Sequence, residues 1–418
     1  MRILAIETSC DDTGVAILEV SQAGNFNILS NIVSSQIEVH KKYGGVYPMM
    51  AKREHQKNLV PTFMRALKQA KLLNPKSKIQ ISKQIQNPNF KKILNTKYKI
   101  LNTILEREPE LLKKIIPFLQ KYGKPDVDLI SVTNGPGLEP CLWVGVNFAK
   151  TLAYFWNIPI IPVNHIESHI LVNTLERPKG CLDIKFPAIS LVVSGGHTQL
   201  ILIHPHTKRG SLGKNKIDDE SARYGVGVNG IGKYKILGET RDDAAGECFD
   251  KCAKILNLGY PGGPIISKLA EKIETKKTLP RPMIGTKDYD FSFSGLKTAV
   301  LYADRKIKNK TKKYKKEMSA EVQQAVIDVL LKKTIKAVKD YDAKTLILGG
   351  GVTANKKLRI QFEAKLKKEK PDAKFLVPPP NLSTDNGLMT AVAGYFRAKQ
   401  KKITEWQDLK ADANLRIQ

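Results

Sequence analysis

Two histidines stand four residues apart in residues 164–169, NHIESH, directly after an asparagine. On a helix, positions i and i+4 share one face, so His165 and His169 can turn their imidazoles toward a single divalent metal. An ordinary packed or solvated histidine pair fits the same spacing. Asn164 is a candidate N-cap for that helix. The pattern is close to the H-E-x-x-H of metalloproteases, but Glu167 follows His165 by two positions, about 200° around a helix, which disfavours proteolysis. A third ligand is on offer from Asp385 in residues 383–387, STDNG, just before an apolar run. Two histidines and one aspartate with positions left open suit a catalytic iron or zinc, whereas Asp385 alone reads as a helix cap.

Three glycine-rich turns invite a different ligand: Ser194-Gly-Gly-His197, Gly262-Gly263 and residues 349–355, GGGVTAN. Glycine lacks a Cβ, so backbone there can come close to a phosphate or a purine. None fits the Walker A or dinucleotide fingerprint, so a nucleotide site here is of another design. The helix predicted after Thr240 sets Ala244, Ala245, Cys248, Phe249, Cys252, Ala253 and Leu256 on one face and Asp243, Glu247 and Asp250 on the other. The two cysteines are then core residues, and Asp250 faces either a ribose hydroxyl or water. His204 and His206 read as a solvated pair at the start of a loop.

The elements that must carry these groups alternate between strand and helix. Residues 2–8 and 14–20 read as a hairpin opening an α/β domain, 49–71 as a helix, and 129–133 as a strand leading through a Gly-Pro-Gly turn into an apolar helix. Residues 188–193 and 199–203 flank the Ser194–His197 turn, and 345–348 is a strand that runs into the third glycine turn. The expected architecture is two α/β domains with ligands in the cleft between them. A weak hairpin similarity between the N-terminal and central halves is the only repetition. Residues 72–124 carry 12 Lys and Arg against three Glu, together with an apolar face at helical spacing, and read as a basic helical insertion. Residues 205–229 read as a long surface loop. Residues 305–316, with eight Lys or Arg and no acid, read as a solvated loop.

The whole chain is 418 residues with a formal charge of +29. A hydrophobic fraction of 42% with 26% charged residues describes a globular protein, which excludes disorder as the whole answer. The acids Glu7, Asp11 and Asp12 break any signal-peptide pattern, and no apolar run reaches the ~20 residues of a membrane span. Five scattered cysteines, Cys10, Cys141, Cys181, Cys248 and Cys252, make no disulfide framework, so a reducing cytoplasm is the expected compartment. Such a basic chain calls for a polyanionic partner, nucleic acid before membrane surface.

Taken together, residues 3–14 (ILAIETSCDDTG), 44–55 (GGVYPMMAKREH), 164–169 (NHIESH), 194–200 (SGGHTQL), 238–250 (GETRDDAAGECFD), 290–297 (DFSFSGLK), 349–355 and 383–387 are a specific set. In them the chain resembles the bacterial tRNA N6-adenosine threonylcarbamoyltransferases, the TsaD/Gcp family of the actin-like and sugar-kinase-like ATPase superfamily. The likeness spans the chain apart from residues 72–124 and 205–229. It implies two ribonuclease H-like (actin-like ATPase, ASKHA) domains with a central nucleotide cleft, plus the basic helical insertion. The expected division is 1–162, 163–394 carrying the metal and nucleotide site, and 395–418 packing back on the first domain.

The resemblance further implies that His165, His169 and Asp385 hold a divalent metal, Fe2+ ahead of Zn2+. It implies that Val192, Val193, Ser194, Gly195, Gly196, Asp250, Gly263 and Asn355 line the nucleotide-bearing substrate, and that Asp11 and Asp12 sit at the reacting end. Many relatives have Glu at position 12, so Asp12 is one methylene short. The implied reaction moves threonylcarbamoyl from threonylcarbamoyl-AMP to N6 of adenosine 37 in tRNAs reading codons that begin with A, with an ATP- or AMP-type nucleotide in the cleft. The implied partners are tRNA, a paralogous non-catalytic TsaB-like subunit and a P-loop TsaE-like ATPase, with no membrane. A sugar phosphotransferase of the same superfamily and a silent paralogous scaffold are the competing readings. The first has no use for the metal trio, and the second is expected to lack its histidines.

Overall fold

The computed structural model describes residues 1–77, 88–175, 184–204, 233–276 and 278–417. The loop expected at 205–229, Cys181 and His206 lie outside the described residues. In chain order the strands are β1 (Arg2–Glu7), β2 (Asp12–Val20), β3 (Phe26–Ser35), β4 (Leu129–Gly135), β5 (Ile160–Asn164), β6 (Ala188–Val193), β7 (Thr198–His204), β8 (Lys233–Glu239), β9 (Thr345–Gly349) and β10 (Lys374–Leu376). The principal helices are α1 (Pro48–Gln69), α2 (Pro88–Ile104), α3 (Pro109–Lys121), α4 (Glu139–Trp156), α5 (His165–Leu171), α6 (Ala245–Ile255), α7 (Gly262–Leu269), α8 (Ser294–Lys306), α9 (Lys312–Asp340), α10 (Lys356–Glu369) and α11 (Gly387–Lys399).

The chain forms two compact units, residues 1–36, 46–180 and 385–416 in the first and 37–45, 181–384 and 417–418 in the second. The first is built on a sheet of order β3-β2-β1-β4-β5, with β1, β2 and β3 antiparallel and β4 and β5 parallel to β1. Residues 3–7 of β1 are buried throughout, because helices cover both faces of the sheet. Leu4, Ile6, Val15 and Ile17 meet Leu59 and Phe63 of α1 and Phe148 and Leu152 of α4, while α11 lies on β1 and β2.

The second unit repeats the topology, with order β10-β9-β6-β7-β8, β6, β7 and β8 antiparallel and β9 and β10 parallel to β6. Its core gathers Phe249, Phe291, Phe293, Val322, Leu346, Leu348 and Phe362. Two α/β units of one topology are the fold class expected from the sequence.

Several details differ from expectation. Residues 163–175 and 385–394 pack with the first unit, where a single second domain over 163–394 was expected. The cause is that β5 runs directly into α5, and α11 packs on α5, β1 and β2. In the basic segment 72–124, α2 and α3 are helical as expected and bury Leu101, Leu105, Leu111, Ile115 and Phe118 against the first core. The run 305–316 is only partly loop: residues 312–316 begin α9, whose N-cap Thr311 accepts the Tyr314 N–H at 3.2 Å. Lysine is a good helix former, so charge alone does not mark a loop. Among the described residues no helix is long and apolar enough to cross a membrane.

Candidate active site

In the first unit, β1 ends at Glu7 and β2 begins at Asp12, so residues 8–11 form the turn between them. His55 of α1 is fully buried and holds that turn, with Nε2 2.9 Å from the Cys10 carbonyl and Nδ1 2.7 Å from Thr13 Oγ1. A carbonyl only accepts, so Nε2 carries the proton and Nδ1 accepts from the Thr13 hydroxyl. Burial, with Asp11 beside it, pushes the Asp12 carboxyl up to about 7, and its Oδ1 is buried without a hydrogen-bond partner. Burial also raises the thiols, Cys10 well above its ordinary value and Cys141 to about 12, so neither is an activated nucleophile.

The chain leaves β5 through Asn164, whose Oδ1 accepts the N–H groups of Ile166 and Glu167 at 2.9 and 3.2 Å. This N-cap starts α5 at His165 and stacks His169 one turn on, the two ring centroids being 4.7 Å apart. Asp385 is fixed from the other side by its neighbour Asn386, which caps α11 by accepting from Leu388 and Met389 at 3.0 and 3.1 Å. A Cβ on Gly387 would stand 2.6 Å from the Ala16 nitrogen, so glycine there lets the helix start abut β2.

The result brings His165, His169 and Asp385 together, one donor atom of each lying within 4.8 Å of the others. Asp385 Oδ1 is 3.2 Å from His169 Nε2 and 3.8 Å from His165 Nε2. Donors held at ~2.0–2.1 Å by a tetrahedral ion stand roughly 3.4 Å apart, a value bracketed by the 3.2 and 3.8 Å between Asp385 and the two imidazoles. Both ring nitrogens of His169 are buried and make no well-aligned hydrogen bond, even with Asp385 so near. Of the two, Nε2 is the one that faces Asp385 and that a shared ion would take. Burial works against a charged His165, yet Asp385 and Glu7 outweigh it and raise its pKa to about 9; burial and the neighbouring His165 lower that of His169. Two carboxylates around two imidazoles are a donor set that a divalent cation neutralises, so the residues fit a metal. Glu167 points elsewhere, its Oε2 accepting from Arg397 Nε at 2.6 Å.

In the second unit the residues expected at a nucleotide lie at the end of β6 and in the turn after it (Val192 to Gly196), in α6 (Asp250), at the start of α7 (Gly263) and at the N-cap of α10 (Asn355). Val192 and Val193 are fully buried and paired in the sheet, so they position the turn that follows and are not themselves open to a ligand. Ser194 closes the turn, donating its N–H to the His197 carbonyl at 2.8 Å and accepting the His197 N–H on Oγ at 3.1 Å. The Ser194 carbonyl lies against Gly246 at the start of α6, and Gly350 packs on Val193. Asp250 spends Oδ1 on the Gly262 N–H at 2.7 Å, fixing the start of α7 beside it. Asn355 caps α10 through Leu358 at 3.0 Å and donates to Gln323 at 2.7 Å. A Cβ added at Gly195, Gly196 or Gly263 meets nothing within 4 Å, which leaves open backbone on two of the turns. Cys248 and Cys252 are core residues, as their spacing predicts.

Glu7 and His55 were not singled out from the sequence. The signal for Glu7 was a carboxylate closing an otherwise apolar strand, and for His55 a histidine on the apolar face of a helix.

The pattern defining TsaD, tRNA N6-adenosine threonylcarbamoyltransferase, matches residues 27–79, 110–224 and 221–392. A protein named tRNA N6-adenosine threonylcarbamoyltransferase from Thermosipho africanus is 41% identical over 418 residues, covering 100% of both chains. The chain belongs to the TsaD family. Relatives of the same name from Thermosipho melanesiensis and Persephonella marina are 42% and 39% identical, covering 99% and 100% of this chain and 98% and 96% of their own. The TsaD match leaves residues 80–109 uncovered, the middle of the basic segment, but runs through 205–229. Among solved structures, the ROK hexokinase of Thermus thermophilus covers 96% of this chain and 99% of its own at a TM-score of 0.40 and 10% identity.

Proposed function

We propose that this chain transfers the threonylcarbamoyl group from threonylcarbamoyl-AMP to N6 of adenosine 37 in tRNAs reading codons that begin with A, releasing AMP. The observation that carries the reading is the convergence of His165, His169 and Asp385 in a chain of this family. A sugar phosphotransferase has no use for such a trio. A bound divalent metal, Fe2+ or Zn2+, would be held by these three residues and would supply Lewis-acid polarisation of the carbamoyl group.

The remaining chemistry falls to side chains of the turn between β1 and β2 and of the first residue of β2. The adenosine amine attacks the carbamoyl carbon, the bond from that carbon to the AMP phosphate oxygen breaks, and the amine proton must go to a base. Asp12 Oδ1 is the acceptor in this scheme: it is unpartnered, and with a pKa near 7 its carboxylate form is both present and basic at neutral pH. Asp11 adds negative charge beside it, which helps to keep that pKa high. His55 holds the turn through Cys10 and Thr13. The adenylate is assigned to the second unit, with its phosphate at the open backbone of Gly195, Gly196 and Gly263 and its ribose and base beside Asp250 and Asn355. The basic surface would position tRNA through its phosphates in the cytoplasm, and a TsaB-like paralogue and a TsaE-like ATPase would complete the system.

The test supplies purified chain with threonylcarbamoyl-AMP and unmodified tRNA, with and without the two partner proteins, and analyses the digested nucleosides by mass. Threonylcarbamoyladenosine appearing in step with AMP is expected. Phosphorylation of a sugar with no change in the tRNA would reverse the reading.

A further inference from the structure

We propose that Glu7 is the outer carboxylate of the metal site, which, acting with Ser9, sets the tautomer of His165 and raises its affinity for the ion. The inference rests on the metal reading above. Glu7 is fully buried at the end of β1, where an isolated carboxylate would be costly. It is instead surrounded by donors: Oε1 accepts the Ser9 N–H at 2.7 Å, and Oε2 accepts the hydroxyls of Thr133 and, at 3.1 Å, Thr390. These donors come from the turn after β1, from β4 and from α11, so three separate elements are committed to one carboxylate.

What the cluster faces is the inner nitrogen of a proposed metal ligand. His165 Nδ1 lies 3.1 Å from Ser9 Oγ and 3.6 Å from Glu7 Oε2. The Ser9 N–H, bonded to Glu7 Oε1, holds the carboxylate and the hydroxyl on the same side of the ring. With an ionised carboxylate behind it, the Ser9 oxygen is free to accept, and the proton of a neutral His165 belongs on Nδ1. Nε2, on the side of Asp385 and His169, is then left as a lone pair. A metal-bound histidine whose other N–H points to a carboxylate is more basic and better oriented, and removing such a partner typically weakens metal binding 10–100-fold. The cluster also completes the charge balance, since Glu7 and Asp385 together match one divalent cation.

The measurement is Co2+ affinity at neutral pH, by competition with a chromophoric chelator, together with the visible absorption of the bound ion. Wild type, Glu7→Gln, Thr390→Val and Asp385→Asn are compared, with thermal unfolding as the folding control. Glu7→Gln should bind Co2+ about 10–100-fold more weakly with unchanged band positions, because the three ligands are untouched. Asp385→Asn should lose affinity and shift the bands. Thr390→Val removes one donor without altering charge and should give a smaller loss; it carries the test if Glu7→Gln does not fold. Wild-type affinity in Glu7→Gln, or in Thr390→Val standing alone, would overturn the proposal. Shifted bands in Glu7→Gln would also overturn it, by making Glu7 a direct ligand. A wild type without saturable Co2+ binding would instead remove the metal reading on which it rests.

Discussion

The two units hang different chemistry on the same scaffold. In each, the first strand of an antiparallel meander leads into a tight turn, and the loop after the fourth strand packs on the start of that turn. In the first unit the turn carries Asp11, with Asp12 opening β2, and is locked by Gly137, where a Cβ would stand 2.6 Å from the Ser9 carbonyl. In the second unit the turn is Ser194 to His197, and Gly350, with φ of +88°, lies against the Val193 carbonyl. The strands and the locking glycines correspond, and the turns do not: a carboxylate at Asp11 with Asp12 just after it in one case, open backbone at Gly195 and Gly196 in the other. The fold supplies two equivalent turn positions, and under the proposed function the one beside α5 and Asp385 would serve metal and proton chemistry and the other the phosphate.

The sharpest way to break this comparison is to remove the groups that make the first unit different. Replacing His165 and His169 together by alanine should abolish bound metal and transfer while leaving the circular dichroism intact; metal analysis and nucleoside mass check this. Asp12→Asn should lower the transfer rate by about 10²–10⁴-fold, the usual contribution of a positioned base, with little change in KM. The same substitution has a stability signature. Because the Asp12 pKa is raised in the folded state, ionisation destabilises wild type progressively as pH rises from about 4 to about 7. In the chelated protein the gain in stability of Asp12→Asn should therefore be absent near pH 3, grow to a few kcal/mol at neutrality and stay level above it. Denaturant titrations at several pH values would show this, and a gain independent of pH would contradict the assignment.

Glycine substitutions sharpen the comparison further. Gly137→Ala and Gly350→Ala should each cost about 1–3 kcal/mol, since both lie where a Cβ meets backbone. Gly195→Val has open space and should change stability by only about 0.5 kcal/mol while raising KM for the adenylate. Equal stability losses at Gly195 and Gly350 would end the distinction between a packing turn and a binding turn. The smallest effect is expected outside both sites. Lys92 and Lys99 of α2 are exposed, and changing both to Gln should reduce the salt dependence of tRNA binding by at most roughly 0.7–0.9 for each phosphate that is no longer neutralised.

Which parts of this arrangement the sequence displays depends on whether local pattern or long-range packing determines them. The α5 histidines were legible because a cap and an i, i+4 spacing are local, and the buried face of α6 because its apolar residues repeat at helical period. β3 was not anticipated: as an edge strand its residues alternate only weakly between exposed and half-buried, so no face stands out. Glu7 reads as the polar end of a strand until Thr133 and Thr390, far apart in sequence, are seen to share it. The division between units was hidden for a similar reason. Nothing near Asp385 signals that the chain there turns back to the sheet it left more than two hundred residues earlier; only the packing of α11 on β1 and β2 does.

The most direct test of the central claim is incorporation of labelled threonine into unmodified tRNA that reads codons beginning with A. Adenylate synthase, bicarbonate, ATP and both partner proteins are present, and wild type is compared with the His165→Ala/His169→Ala variant. Label in the tRNA with wild type alone is the predicted result. Equal label with the double variant, itself free of bound metal, would contradict the assignment of the chemistry to the first unit.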